Sequence, residues 1–148
     1  MPVLHLGVID DLPYDQKGTV TTGDVAGWLE DKYHILEIYS QVHGPDMATA
    51  MEEGARGALE SLLMGAPATI DVFAGGASKI EEGMKEFITN GEMDSLGYPG
   101  VPTQAAIDRA LGKKRSGRKK KRGRRSNSRP VSFVDTELYE SSLRAWVT

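Results

Sequence analysis

Cysteine is absent from the sequence, which excludes disulfide staples, thiolate zinc sites and cysteine nucleophiles and fits a reducing compartment. No stretch approaches the roughly eighteen consecutive apolar residues of a membrane span. The opening MPVLHLGVIDDLPY has neither the basic n-region nor the apolar run of a secretory leader, so none is expected. Histidine is scarce: His5, His34 and His43 are dispersed, and none stands in an HxxxH or HExxH frame. The Gly-rich pieces GARGALESLLMG and FAGGASKIEEG follow neither the GxxxxGK[ST] pattern nor GxGxxG after a strand, so they read as packing and turn chemistry. Ser61, Ser132 and Ser141 have no GxSxG elbow. The acid pairs Asp10-Asp11, Glu52-Glu53 and Glu81-Glu82 lie mostly on polar faces. These absences predict no catalytic residue, no cofactor and no metal ligand, hence a protein that is not an enzyme.

What is present is a separation of charge. The formal net charge is only −3, yet residues 113–129 hold 11 of the 18 Lys and Arg with no acid, which leaves 7 basic against 21 acidic residues elsewhere, a balance of −14. The densest part, KKRSGRKKKRGRR, contains Lys113, Lys114, Arg115, Arg118, Lys119, Lys120, Lys121, Arg122, Arg124 and Arg125. An acidic body carrying a cationic strap is the asymmetry of an interaction segment. The strap has no hydrophobic residue from Lys113 through Pro130 and forms no core element by itself. It carries no interleaved aromatics for base stacking, so any nucleic-acid contact is a sequence-independent phosphate contact. Three readings stay open: phosphate binding, docking on an acidic protein surface, and a solvated linker.

The pattern along the chain predicts a predominantly helical α+β fold, a single domain of four to five helices. Residues 1–22 form an N-terminal arm with a possible strand in VLHLGVI, 23–112 a helical body, 113–130 the basic strap and 131–148 a C-terminal anchor. Val25, Trp28, Leu29, Ile35, Leu36, Tyr39 and Val42 predict one long helix, capped by Thr22 or Asp24 and ending near His43-Gly44. Pro45 and Asp46 suit the first turn of a second helix. Its small residues Ala50, Gly54 and Ala58 would let another backbone come close, and Gly65 would stop it. Ser78 and Glu81 fit the capping box of a third helix, with Ile80, Met84, Phe87 and Ile88 as its apolar face and Asn90-Gly91 as its end. LGYPGVPT is a turn segment, after which Thr103 caps a short helix. At the C-terminus, Leu138, Tyr139, Ser142, Leu143 and Trp146 favour a helix capped by Asp135 or Thr136, over a strand from Leu143 onward.

The segment PVSFVDTELYESSLRAWV resembles the C-terminal signature of small neck and tail-completion proteins of tailed bacteriophages. In that signature a basic, proline-containing lead precedes an apolar residue, Asp-Thr-Gly, a Leu and then a Ser. Val134, Asp135, Thr136, Leu138 and Ser142 match it, and Glu137 stands where the glycine would be. TTGDVAGWLEDKYHILEIY and LGYPGVPT resemble phage structural proteins more loosely. The resemblance implies a virion protein of the neck or tail, assembled in the bacterial host cytoplasm, with no catalytic site. It implies a homo-oligomeric ring that joins the tail to the portal as a head-tail joining, tail-completion or tail-terminator component. The implied partners are further copies of itself and the adjoining portal, connector or tail-tube proteins, with sequence-independent DNA contact open and no membrane. The expected assembly interface comprises Val134, Asp135, Thr136, Leu138, Ser142, Trp146 and Gly54.

Overall fold

The computed structural model describes residues 1–10, 13, 19–67, 71–110 and 138–148. Its elements are β1 (Leu4–Val8), α1 (Thr22–Tyr33), α2 (Ile35–Leu63), α3 (Ala74–Thr89), α4 (Glu92–Ser95), α5 (Gln104–Ala110), α6 (Leu138–Ser142) and β2 (Leu143–Val147). The architecture is the predominantly helical α+β fold that the hydrophobic pattern predicts, with six helices among the described residues. The two strands pair antiparallel from Leu4 opposite Val147 to Val8 opposite Leu143, so the two ends of the chain build the sheet together. A two-stranded sheet is marginal in water unless something packs on it. Here Leu4, Leu6, Val8, Leu143 and Ala145 join the core, while strand alternation turns His5, Gly7, Arg144 and Trp146 to the other face.

The main core lies between α2 and α3: Ile35, Ile38 and Tyr39 meet Ile80, Met84, Phe87 and Ile88, all buried. Met93, Val101, Tyr139 and Leu143 close it from the other elements. The two helices run antiparallel, with Tyr39 beside Gly83 and Gly54 against Gly76. At the Gly54 crossing an added Cβ would stand 2.4 Å from the Gly76 nitrogen, so the backbones touch and no side chain fits between them. Gly57, by contrast, faces open space.

Helix ends depart from the sequence expectation in three places. α1 is capped one residue early, by Thr21: its Oγ1 accepts from the Asp24 amide at 3.2 Å, and the Asp24 carboxylate accepts from the Thr21 amide at 3.0 Å. Thr22, an expected cap, is instead fully buried and donates its hydroxyl to the Ile9 carbonyl. The long first helix breaks at His34, in the left-handed region at φ 52°, rather than at Gly44. Glu30 makes the break possible. Its carbonyl accepts from the His34 amide at 2.9 Å, and its carboxylate accepts from the Leu36 amide at 2.9 Å and the Glu37 amide at 3.1 Å, satisfying the open start of α2.

α2 then runs straight through Pro45, where a break is expected from the sequence. An interior proline costs about 3 kcal/mol. Pro45 and Gln41, whose carbonyl loses its donor, are both exposed, whereas Tyr39, Met47, Ala50 and Met51 pack in one continuous row against the core. Breaking the helix would take half of that row away. The Ser78–Glu81 capping box is also not used, because α3 begins four residues earlier at Ala74 and carries Gly75 and Gly76 into the crossing. Its expected end holds, with Asn90 as C-cap, as do the stop at Gly65 (φ 97°) and the Thr103 cap, whose hydroxyl accepts from the Ala106 amide at 3.3 Å.

Because Glu30 serves two amides of another helix, Glu30→Ala is expected to lower stability by about 1–2 kcal/mol. Glu30→Gln should keep much of that, since its amide oxygen can still accept. Urea unfolding of the two variants checks this, and equal losses would mean that the carboxylate charge, not its acceptor geometry, matters.

Candidate functional site

The C-terminal signature builds a corner, not the single helix favoured by periodicity. α6 ends at Ser142 and β2 starts at once with Leu143, so the strand reading holds for residues 143–147. The physical reason is the partner. β1 offers a ladder, and the Ile9 amide donates to the Ser142 carbonyl at 2.9 Å, which draws the chain out of helix at that residue. Ser142 is fully buried, and its hydroxyl is satisfied by donating to the Tyr139 carbonyl at 2.7 Å. Leu138 is half-buried at the start of α6, and Leu143 has no exposed surface. Arg144 donates to Glu81 on α3 at 3.2 Å and to the Ser141 and Leu143 carbonyls at 2.9 and 2.7 Å, clamping the corner to the helix beneath.

Trp146 stands on the opposite face of the sheet. Its indole stacks on His5 at 5.4 Å between centroids and 13° between planes, and covers Gly7, where an added Cβ would stand 2.8 Å from the ring. His5 in turn is 2.8 Å from the Thr148 hydroxyl. The ring is held in place, yet 44% of the residue stays exposed, beside a shallow cavity of about 240 Å³ bordered by Phe73, Ala77, Glu81 and Val147. Of the expected interface residues, Leu138 and Ser142 lie in this corner, and Trp146 lies on the strand that leaves it, toward its far end. Gly54 lies away from it in the α2–α3 crossing, where its small size serves a contact within the chain. Val134, Asp135 and Thr136 lie outside the described residues, as do all the cations of the basic strap, Lys113 to Arg125.

A second polar cluster was not legible from the sequence. His43 lies between two carboxylates, Nδ1 at 3.2 Å from Asp46 and Nε2 at 2.9 Å from Glu92, and stacks on Tyr39 at 5.0 Å. Asp46 sits three residues along the same helix, a visible spacing, but Glu92 arrives from α4 only through the tertiary fold. A cavity of about 230 Å³ opens beside them, bordered also by Glu86 and Phe87. Burial raises the Tyr39 phenol above its ordinary range, and Asp46, Glu92 and Glu86 add to the rise. Among the described residues no three His, Asp or Glu side chains are placed to hold a metal ion.

Tyr139 on α6 is buried, and that desolvation, with the nearby Glu30 carboxylate, pushes its phenol far above the ordinary value. The folded protein thus holds this proton more tightly than the unfolded chain. The associated stability is fully present below about pH 10, the unfolded tyrosine value. It is lost as pH rises beyond that. The denaturant midpoint is expected to drop as pH rises above about 10, and to drop less in Tyr139→Phe; an unchanged pH dependence in that variant would count against the assignment.

No protein-family model, no curated protein and no solved structure matches this chain. No described helix is long and apolar enough to cross a membrane.

Proposed function

We propose that the chain is a structural, non-catalytic subunit of a tailed-phage virion, part of a neck, tail-completion or tail-terminator ring that joins the tail to the portal. One observation carries the reading. The segment that resembles the phage signature is also the one that locks the chain ends together, through buried Ser142 and Leu143, and presents Trp146 half-exposed on the outer face of the sheet. A fixed, half-exposed tryptophan is a typical anchor for a protein partner. The helical body would pack side by side in the ring, with the basic strap reaching onto a neighbouring acidic surface. Ordering such an arm only on its partner defers the entropy cost until the correct neighbour is present. Assembly then proceeds in sequence, onto portal, connector or tail-tube proteins.

In a phage that encodes the chain, Trp146→Ala should leave the purified protein folded, with a loss of about 1–2 kcal/mol for the lost stacking and burial. It should also leave filled heads and finished tails unjoined when imaged. Joined particles made by that variant, or by a phage lacking the protein, would overturn the proposal.

The charge of residues 113–129 favours a second reading, a nucleic-acid-binding protein that grips phosphates without reading sequence. DNA affinity would then fall steeply with salt and vanish when residues 113–125 become Gly/Ser. Affinity that survives the replacement sinks this second reading and leaves the first untouched.

A further inference from the structure

A cavity of about 510 Å³ lies where α1 gives way to α2 and the turn between α4 and α5 folds back on them. That volume is within the usual range of small-molecule sites. Buried Ile38, half-buried Tyr33 and Tyr98, and Pro99 supply its apolar wall. The turn is held against the helix end by Gly100, where an added Cβ would stand 3.6 Å from Tyr33 Cε1. The polar groups at the rim are not equivalent. Glu37 is occupied, one oxygen 3.2 Å from His34 Nδ1 and the other accepting from the Gln41 side-chain amide at 3.2 Å. Gln41 thereby uses one N–H and keeps its carbonyl oxygen and its second N–H. Lys32 has no carboxylate partner among the described residues, and its ammonium lies over the Tyr33 ring at 5.1 Å, which holds it at the cavity edge.

We propose that this cavity binds an adenine nucleotide. The base lies flat against Tyr98 and Pro99, its amino group donates to the Gln41 side-chain oxygen, and the neighbouring ring nitrogen accepts from the Gln41 amide. The phosphate meets Lys32, a point charge suited to it. Each part of the site rules out a simpler occupant. An apolar molecule would leave Lys32 and Gln41 unmatched. A lone anion or a sugar phosphate would leave the aromatic wall uncovered. Adenine joins a flat face to an edge with a donor beside an acceptor, and its phosphate supplies the anion. The same chemistry is presented by a free nucleotide and by an unpaired adenine in a strand. The site belongs to the helical body, so it rests on neither the ring reading nor the basic strap.

Saturation-transfer NMR of the full chain tests this with AMP, adenosine and an adenylate trinucleotide as probes, in excess inorganic phosphate to occupy the cations of the strap. The adenine protons should receive magnetisation, and AMP should bind about threefold more tightly than adenosine. Lys32→Gln, at an exposed site that leaves the fold intact, should erase that preference. Tyr98→Leu keeps the apolar bulk without the flat face, and should weaken AMP and adenosine alike by about tenfold. A trinucleotide that binds more tightly than AMP, with the same loss in Tyr98→Leu, identifies a strand as the source of the base. Equal affinity for the two identifies the free nucleotide. No transfer to the adenine at millimolar AMP, a preference for AMP that survives Lys32→Gln, or binding that Tyr98→Leu leaves unchanged would each overturn the proposal.

Discussion

Gly54→Ala is expected to destabilise the protein by about 2–3 kcal/mol, although alanine is the better helix former by about 1 kcal/mol. The new methyl would stand 2.4 Å from the Gly76 nitrogen, 2.9 Å from its Cα and 3.2 Å from the Gly75 carbonyl carbon. All three are backbone atoms, so no rotamer change relieves the contact and the helices must separate. Separation loosens Met51 and the row of core residues below it, among them Tyr39, Ile80 and Phe87. Gly57→Ala, three residues on in the same helix, meets nothing within 4 Å and should stabilise by up to about 1 kcal/mol. The opposite signs, read from urea midpoints, separate a packing requirement from helix propensity. A stabilised Gly54→Ala would show that α2 and α3 do not cross there.

Leu143→Ala is expected to cost about 3 kcal/mol, the middle of the range for a leucine deleted from a tight core. Leu143 has no exposed surface, opens β2 and pairs with Val8, so the cavity would lie under the sheet at the point where both chain ends meet. Its loss should be felt at the N-terminus as well as at the C-terminus. Hydrogen exchange offers the test: the amides of His5, Gly7 and Ile9, on the paired side of the ladder, should lose protection together with that of Trp146. If only the C-terminal amides open, β1 is held by something other than β2. Trp146→Ala, with its ring half in solvent, should cost less than Leu143→Ala, a ranking opposite to side-chain size.

Much of the helical body was readable because its signal is local. Ile80, Met84, Phe87 and Ile88 recur at helical spacing and all are buried. Gly65 and Asn90-Gly91 stop helices where left-handed or capping geometry is needed, and Thr103 caps by its own hydroxyl. The need for a close backbone approach at Gly54 was also readable, though Gly57 beside it carries no such duty. Less local features do not show in the sequence. The break at His34 depends on a glutamate in the preceding helix reaching the amides of the next, and histidine, though commoner than most residues in left-handed geometry, does not by itself mark a break. Pro45 is tolerated because it points to solvent from a helix held along its other side. Of the candidate site, the corner residues Leu138 and Ser142 were named from the signature, whereas Glu92 beside His43 had no signal in sequence.

By itself the sequence determined the fold class, the acidic body with its cationic strap and the apolar faces of the helices, because charge and periodicity are properties of neighbouring residues. Only the tertiary structure decided that Leu143–Val147 is a strand, since the same residues satisfy either period and the choice falls to a ladder offered by Leu4–Val8 from the other end of the chain. It also decided which glycine is indispensable, where α2 begins, and that Leu59 and Leu63 near the end of α2 are exposed. These depend on which surfaces meet, and a side chain's energy is set by what it meets.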